Sequence, residues 1–193
     1  MLVEIASTKR DGVWYSVALN QDGKLIISSF SDRSRDEAER SVKRYLSSHG
    51  FEHEKAKRQI SWPFDELYAF YDGKGKRMDA KLFDFSPVSG FRKRVYQILL
   101  QIPRGRVTTY GAIAKKLGGK RYSRAVGTAV ATNPYSPLVP CHRVLPVSFK
   151  VGNYGVCGRE PSTGAYMKQG LLEREGVKFQ SGKVSKESNW NPN

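Results

Sequence analysis

The segment Ser86-Pro87-Val88-Ser89-Gly90 most constrains what this chain can fold into, because the hydrophobic pattern changes across it. Before it, residues 13–20 and 24–30 read as two strands joined through the turn-rich Asn20-Gln21-Asp22-Gly23. Residues 35–48 then place Ala38, Val42, Tyr45 and Leu46 on one helical stripe, which Gly50 stops. Trp62-Pro63-Phe64 opens a short helix carrying Leu67, Tyr68 and Tyr71, and residues 81–85 read as a strand. This predicts a small α/β domain over residues 1–85 whose aromatics form its core. After a linker at 86–90, the pattern is mostly helical. Residues 91–102 bury Val95, Ile98, Leu99 and Ile102 along one stripe. Thr108 or Thr109 caps a helix through Ile113, Ala114 and Leu117 that ends at Gly118-Gly119. Ser123 then serves as N-cap to a helix over 124–132, stopped by Asn133-Pro134. Two short helices joined by a Gly-containing turn predict a helix-turn-helix in a second domain over 91–178. A last helix spans 165–174, and residues 179–193 read as a disordered tail. The fold class expected is therefore two-domain α/β (α+β).

Charge separates the same two halves. Residues 1–90 hold 15 Lys and Arg against 14 Asp and Glu, whereas residues 91–193 hold 18 against 4. No acidic residue occurs between Asp84 and Glu160. Solubilising charge mixes both signs, so the second half calls for a polyanion, with nucleic acid first and a membrane surface second. The predicted helix at 124–132 sharpens this. Its residues Ala125, Gly127, Thr128, Ala129 and Ala131 are too short to read a major groove, but let its backbone approach a narrow groove or another helix. Arg124 is its one long probe. Arg92, Lys93 and Arg94 crowd the first turn of the 91–102 helix, where cations oppose the helix dipole and suit an external anion or solvent.

Within this basic half, Pro140-Cys141-His142-Arg143-Val144 sets a thiol beside an imidazole and a cation. A thiolate is the nucleophilic form of cysteine, and an adjacent base or cation makes it available. In an extended segment neighbouring side chains face opposite ways, so His142 would act through a water. Taken alone, the pair suits a buried structural cysteine as well as a nucleophile. The two cysteines, Cys141 and Cys157, are too few for a disulfide framework, which points to a reducing interior. With only His49, His53 and His142 beside them, they make no zinc site. The first ten residues lack an apolar signal core and no run reaches membrane-spanning length, so an intracellular protein is expected.

Assembled in order, several short motifs carry a resemblance over residues 91–177. They are Ile102-Pro103-Arg104-Gly105, Thr109-Tyr110-Gly111, Arg124-Ala125-Val126-Gly127, Asn133-Pro134, Pro140-Cys141-His142-Arg143-Val144, Gly152-Asn153-Tyr154, and Leu171-Leu172 with Glu175-Gly176. The half that bears them resembles the O6-alkylguanine-DNA alkyltransferases, proteins of direct-reversal DNA repair. The resemblance implies that Cys141 irreversibly accepts the alkyl group from O6-alkylguanine in a nucleotide flipped out of the duplex, and it leaves O4-alkylthymine open as a second substrate. It implies that His142 is the base, oriented by Glu175, and that Tyr110 donates to N3 of the leaving guanine. Arg124 would fill the space left by the extruded nucleotide, and Asn133 would brace the active-site turn. The Val144 and Cys141 carbonyls would accept from the guanine exocyclic amine, Tyr154 would wall the alkyl pocket, the Gly155 amide would approach O6, and Arg143 counts among the substrate- and DNA-binding residues. No cofactor and no metal is implied. The partner is double-stranded DNA, bound through the minor groove by a monomer, with cooperative assembly open. The N-terminal half would be the family's variable, ribonuclease-H-like domain, the helix-turn-helix of the second half would be winged-helix-like, and the site of action the cytoplasm and nucleoid, or a nucleus. Two departures stand out: a longer loop at 156–163 carrying Cys157, and Ser123 where relatives often have Pro. The alternative kept open is a non-catalytic alkylated-DNA-binding protein. A cysteine hydrolase gives no reason for the basic half, and a helix-turn-helix regulator would want sequence-reading side chains.

Overall fold

A computed structural model describes residues 1–57, 59–152, 154 and 161–192, excluding the side chains of 161–163. The first half is built on a four-stranded sheet in the order β3-β2-β1-β4, from β1 (Leu2–Arg10), β2 (Val13–Leu19), β3 (Leu25–Ser31) and β4 (Glu52–Lys55). β1, β2 and β3 form an antiparallel meander, and β4 returns parallel to β1 after helix α1 (Arg35–Ser48). The alternation of strand side chains sends Val3, Ile5, Ala18 and Ile26 to one face, against Val42 and Leu46 of α1. Ser34 caps α1 by accepting from the Glu37 amide, with Asp36 and Glu37 in the first turn.

The opposite face of the sheet meets helix α2 (Phe64–Tyr71) and the second half. Val13, Tyr15, Val17 and Leu19 share one buried cluster with Leu67 and Phe70, and with Val95, Tyr96, Leu99, Val126, Tyr135, Cys141 and Leu171. One core thus runs through both halves. Residues 81–85, expected as a strand, instead form a 3₁₀ turn at Ala80–Leu82 and one bridge from Phe83 to Leu25. Phe83 and Phe85 turn inward there, edge-on to Tyr135, so aromatic packing holds this connection in place of a ladder.

The second half comprises α3 (Gly90–Leu99), β5 (Thr108–Thr109), α4 (Tyr110–Lys116), α5 (Ser123–Ala131), β6 (Val144–Leu145) and α6 (Pro161–Arg174), followed by the small hairpin β7 (Phe179–Gln180) and β8 (Lys183–Val184). Thr109 caps α4 by accepting from the Ala112 amide. Ser123 is not the cap of α5: Tyr122 holds that position, and the Ser123 hydroxyl donates back to the Lys120 carbonyl. Tyr96 on α3 ties to α5 by donating to the Ala129 carbonyl. The segment after 178 is not the disordered tail its polar composition suggested. The Val107 amide donates to the Ser188 carbonyl and the Trp190 amide to the Val107 carbonyl, which lays the C-terminus beside β5. Val184 is buried with Val107, Leu145, Leu172 and Val177, and that apolar burial anchors the segment. Among the described residues no helix is long and apolar enough to cross a membrane.

Candidate active site

The stretch from Asn133 to Cys141 leaves α5 and is folded back by its own hydrogen bonds. The Asn133 side chain donates to the Val139 carbonyl at 2.8 Å and accepts from the Tyr135 amide at 3.1 Å. A second support comes from the first half, where the Ser28 amide on the edge strand β3 donates to the Pro134 carbonyl and the Ser28 hydroxyl to the Ser136 carbonyl, both at 2.8 Å. The turn delivers Cys141 into the common core at 4% exposure.

Cys141–Arg143 is a 3₁₀ turn and not the extended segment expected, with the Arg143 amide donating to the Pro140 carbonyl. The tighter winding keeps Cys141 and His142 from being thrown to opposite faces, and all three side chains are buried. His142 Nε2 lies 2.8 Å from Glu175 Oε1. A carboxylate can only accept, so Nε2 carries the proton and Nδ1 presents its lone pair. Nδ1 is buried without a hydrogen-bond partner among the described residues. Burial lowers the pKa of His142, outweighing the opposing pull of Glu175. The imidazole is therefore neutral near pH 7, with the Nδ1 lone pair unoccupied by a proton.

Arg143 departs from its expected role. It is 3% exposed, its Nε and Nη2 fork onto Glu175 at 2.9 and 2.8 Å, and its Nη1 donates to the Ile102 carbonyl. A guanidinium so engaged cannot contact DNA; it fixes the carboxylate that orients His142. The bonds from His142 and Arg143 outweigh the burial of Glu175 and hold its pKa at about 2, against an ordinary 4.5. A depressed carboxylate pKa stabilises the fold above the unfolded value, and this contribution disappears as pH falls from 4.5 toward 2. A difference of that size corresponds to about 3 kcal/mol. Denaturant unfolding at pH 6 and pH 3 is expected to show more than half of this loss, with a shallower slope in Glu175→Gln.

The end of α6 positions this carboxylate: Gly164, Lys168, Leu171 and Leu172 fall on its buried stripe, and Glu175, the next residue after the helix, continues that spacing with its amide donating to the Leu171 carbonyl. Lys168 was missed by the sequence reading, although a cation on an apolar stripe was the available signal. It is 1% exposed, donates to the Val144 carbonyl at 2.7 Å, and is pushed down to about 8 by burial, with Cys141 opposing. Val144 itself is buried in β6, which pairs with β5. Tyr154 is buried near the thiol, its hydroxyl 3.8 Å from Cys141 Sγ and 2.7 Å from Ser136 Oγ. Burial raises the pKa of Tyr110, with Cys141 adding to the effect, so Tyr110 remains a proton donor. Arg124 lies apart from this cluster, exposed at the start of α5 beside exposed Ala125 and Thr128. Gly155 and Cys157 lie outside the described residues. A cavity of about 630 Å³ opens in the first half between β1, β4, α1 and α2, lined by Ser7, Arg35, Glu39, His53 and Tyr68 among others. It contains none of the groups around Cys141.

Known proteins resemble this chain in both sequence and fold. Residues 90–177 match the family described as 6-O-methylguanine DNA methyltransferase, DNA binding domain. The chain is 39% identical over 111 residues to a methylated-DNA–protein-cysteine methyltransferase of Methanosarcina acetivorans, covering 58% of this chain and 65% of that protein. It is 39% identical over 116 residues to the protein of that name from Mycobacterium tuberculosis, covering 60% and 65%. These matches thus span a little under two thirds of the relatives' own length. Over almost the whole fold, the chain resembles the O6-methylguanine-DNA methyltransferase of Pyrococcus kodakaraensis, with a TM-score of 0.67 and 27% identity over 91% of this chain and 99% of the other. A Mycobacterium tuberculosis structure solved in complex with DNA gives 0.65 and 26%, over 90% and 93%. The matched motifs and the shared two-part architecture converge: residues 90–177 match the DNA-binding domain of the 6-O-methylguanine DNA methyltransferase family, and the chain as a whole is similar in fold to O6-methylguanine-DNA methyltransferases.

Proposed function

We propose that this protein is a methylated-DNA–protein-cysteine S-methyltransferase, repairing DNA by moving the alkyl group of O6-alkylguanine onto Cys141 in a single turnover. The observation that carries the reading is the buried row of Cys141, neutral His142 and Glu175, the last clamped by Arg143. His142 Nδ1 takes the thiol proton through a water, and Glu175 stabilises the imidazolium that forms. The thiolate displaces the alkyl carbon from O6: the S–C bond forms, the C–O6 bond breaks, and its electron pair stays on the purine. Tyr110, kept protonated by burial, donates to N3 as this charge develops. The product is a thioether with no electrophilic carbonyl for water to attack, so Cys141 is not regenerated.

The alkyl carbon of an O6-alkylated guanine is hidden inside the duplex, so the nucleotide must be turned out. The α4–α5 pair acts as a helix-turn-helix whose second helix enters the minor groove, where its exposed small residues allow close approach. Arg124 occupies the space the base leaves. The excess of cations in residues 91–193 supplies sequence-independent phosphate affinity, suited to a lesion that arises anywhere. The protein would bind as a monomer, within the nucleoid or nucleus. The related structure in complex with DNA supports this reading, and the presence of Cys141 favours transfer over binding alone.

The test uses duplex DNA carrying O6-methylguanine with a labelled methyl group. Label should pass to protein with a limit of one per chain, fail to pass in Cys141→Ala, and pass at least tenfold more slowly in Arg124→Ala, because flipping costs a few kcal/mol. Repeated turnover, or label retained on DNA bound by wild type, rejects the proposal.

A further inference from the structure

The sulfur of Cys141 must carry negative charge during displacement while almost wholly buried, and a buried anion needs donors aimed at it. The obvious donors are engaged elsewhere. Arg143 forks onto Glu175, Lys168 directs its ammonium to the Val144 carbonyl, and the Cys141 amide donates to the Val139 carbonyl. Among the described residues, the groups within hydrogen-bonding distance of Sγ are two hydroxyls, Ser136 Oγ at 3.6 Å and Tyr154 at 3.8 Å. These two are joined to each other at 2.7 Å.

We infer that Ser136 is a further catalytic residue, whose hydroxyl donates to the acceptor sulfur as it becomes a thiolate, backed by a hydrogen bond from Tyr154. The inference rests on Cys141 being the alkyl acceptor. In the resting thiol the S–H group donates to Ser136 Oγ. Once His142 has taken that proton, rotation of two hydroxyl hydrogens reverses the direction, with Tyr154 donating to Ser136 and Ser136 to sulfur. No heavy atom needs to move, because a hydroxyl is both donor and acceptor. Burial holds the Tyr154 phenol well above its ordinary pKa, so it keeps the proton it donates. A chain of two such bonds polarises cooperatively.

The backbone of Ser136 is held from outside the second half. Its carbonyl accepts from Ser28 Oγ, a contact between residues 108 positions apart in sequence. With Ser28 N–H on the Pro134 carbonyl, the edge of the first-half sheet sets where the Ser136 hydroxyl stands relative to sulfur. Ser28 is thus a positioning residue acting through Ser136.

The test is single-turnover methyl transfer from O6-methylguanine duplex, with DNA concentration and pH both varied. A hydrogen bond to a charged group is worth roughly 10- to 100-fold. Ser136→Ala is expected to lose that factor in the saturating rate, with the half-saturating DNA concentration unchanged. The deficit should shrink as pH rises, because hydroxide then assists removal of the thiol proton. Ser136→Thr, which keeps the hydroxyl, should recover most of the rate. Tyr154→Phe should lose less than Ser136→Ala with the same pH pattern, and it carries the test alone if Ser136→Ala does not fold. A wild-type rate in Ser136→Ala, or a deficit that is flat with pH, overturns the inference. If Ser136→Ala does not fold, a wild-type rate or a pH-independent deficit in Tyr154→Phe does so. Failure of the wild-type protein to accept the methyl group rejects the proposed function itself, a result separable from any behaviour of the variants.

Discussion

Glu175→Ala is expected to destabilise the protein by about 3–5 kcal/mol and to abolish alkyl transfer. The carboxylate accepts two hydrogen bonds from Arg143 and one from His142, all buried. Removing one member of a buried ion pair leaves the other charge uncompensated, which costs more than the pair contributed. Here the stranded group is a guanidinium held under Phe70, with its centre 5.7 Å from the ring centroid. It has no route to solvent without opening the core that joins the two halves. Glu175→Gln keeps the shape and an acceptor oxygen but not the charge, so it should fall between wild type and alanine. Both variants lose the orientation of His142, and with it the lone pair presented by Nδ1. Chemical denaturation measures the stability change and labelled-methyl transfer the activity. Glu173→Gln, two positions earlier on the exposed side of α6, should change stability by less than about 0.5 kcal/mol. An alanine variant as stable as wild type would show that Arg143 finds another partner.

The second large effect is expected at Gly164. A Cβ on this residue would stand 2.2 Å from the carbonyl oxygen of Tyr154 and 3.1 Å from its amide nitrogen. The obstacle is backbone, so no side-chain rotation relieves it, and either α6 or Tyr154 must shift. α6 is anchored at its far end by Glu175 and by Leu171 and Leu172 in two apolar clusters, which leaves Tyr154 to move. The Tyr154 hydroxyl would then leave Ser136 and the sulfur. A displacement near 1 Å at a reacting centre costs on the order of 100-fold in rate. Gly164→Ala is accordingly expected to slow methyl transfer by about that factor while DNA affinity, carried by the exposed basic surface, is retained. Binding to undamaged duplex supplies the second measurement. Equal losses of binding and transfer would show that the α6 contact supports the whole domain and not Tyr154 in particular.

These expectations depend on features of unequal legibility. The Cys141-His142 pair stood out from the residues themselves, whereas Asn133 and Glu175 were named only through the family resemblance, although helical spacing from Lys168, Leu171 and Leu172 brings Glu175 to the buried side. The same spacing marked Lys168, which was passed over as one more cation in a basic half. Arg143, counted through the resemblance among the substrate- and DNA-binding residues, is instead engaged by a carboxylate 32 positions away, a partner that no local pattern reveals. The strand expected at 81–85 and the disorder expected after 178 were both errors of composition. Phe83 and Phe85 have β-propensity but are held by aromatic packing, and the polar C-terminus is ordered by Val184 and Trp190 at sites that only the folded core creates.

By itself, the sequence determined the division into two halves, the concentration of positive charge in the second, the helix of small residues headed by Arg124, and the thiol of Cys141 beside the imidazole of His142. Each follows from short-range pattern, where side-chain type and spacing act within a few residues. The tertiary structure alone decided which charges cancel, which proton His142 keeps, and which hydroxyls face the sulfur. Those depend on burial and on contacts between distant segments such as Ser28 with Ser136. A polar group's energy is set by what replaces the water around it, and that is known only once the chain has closed on itself.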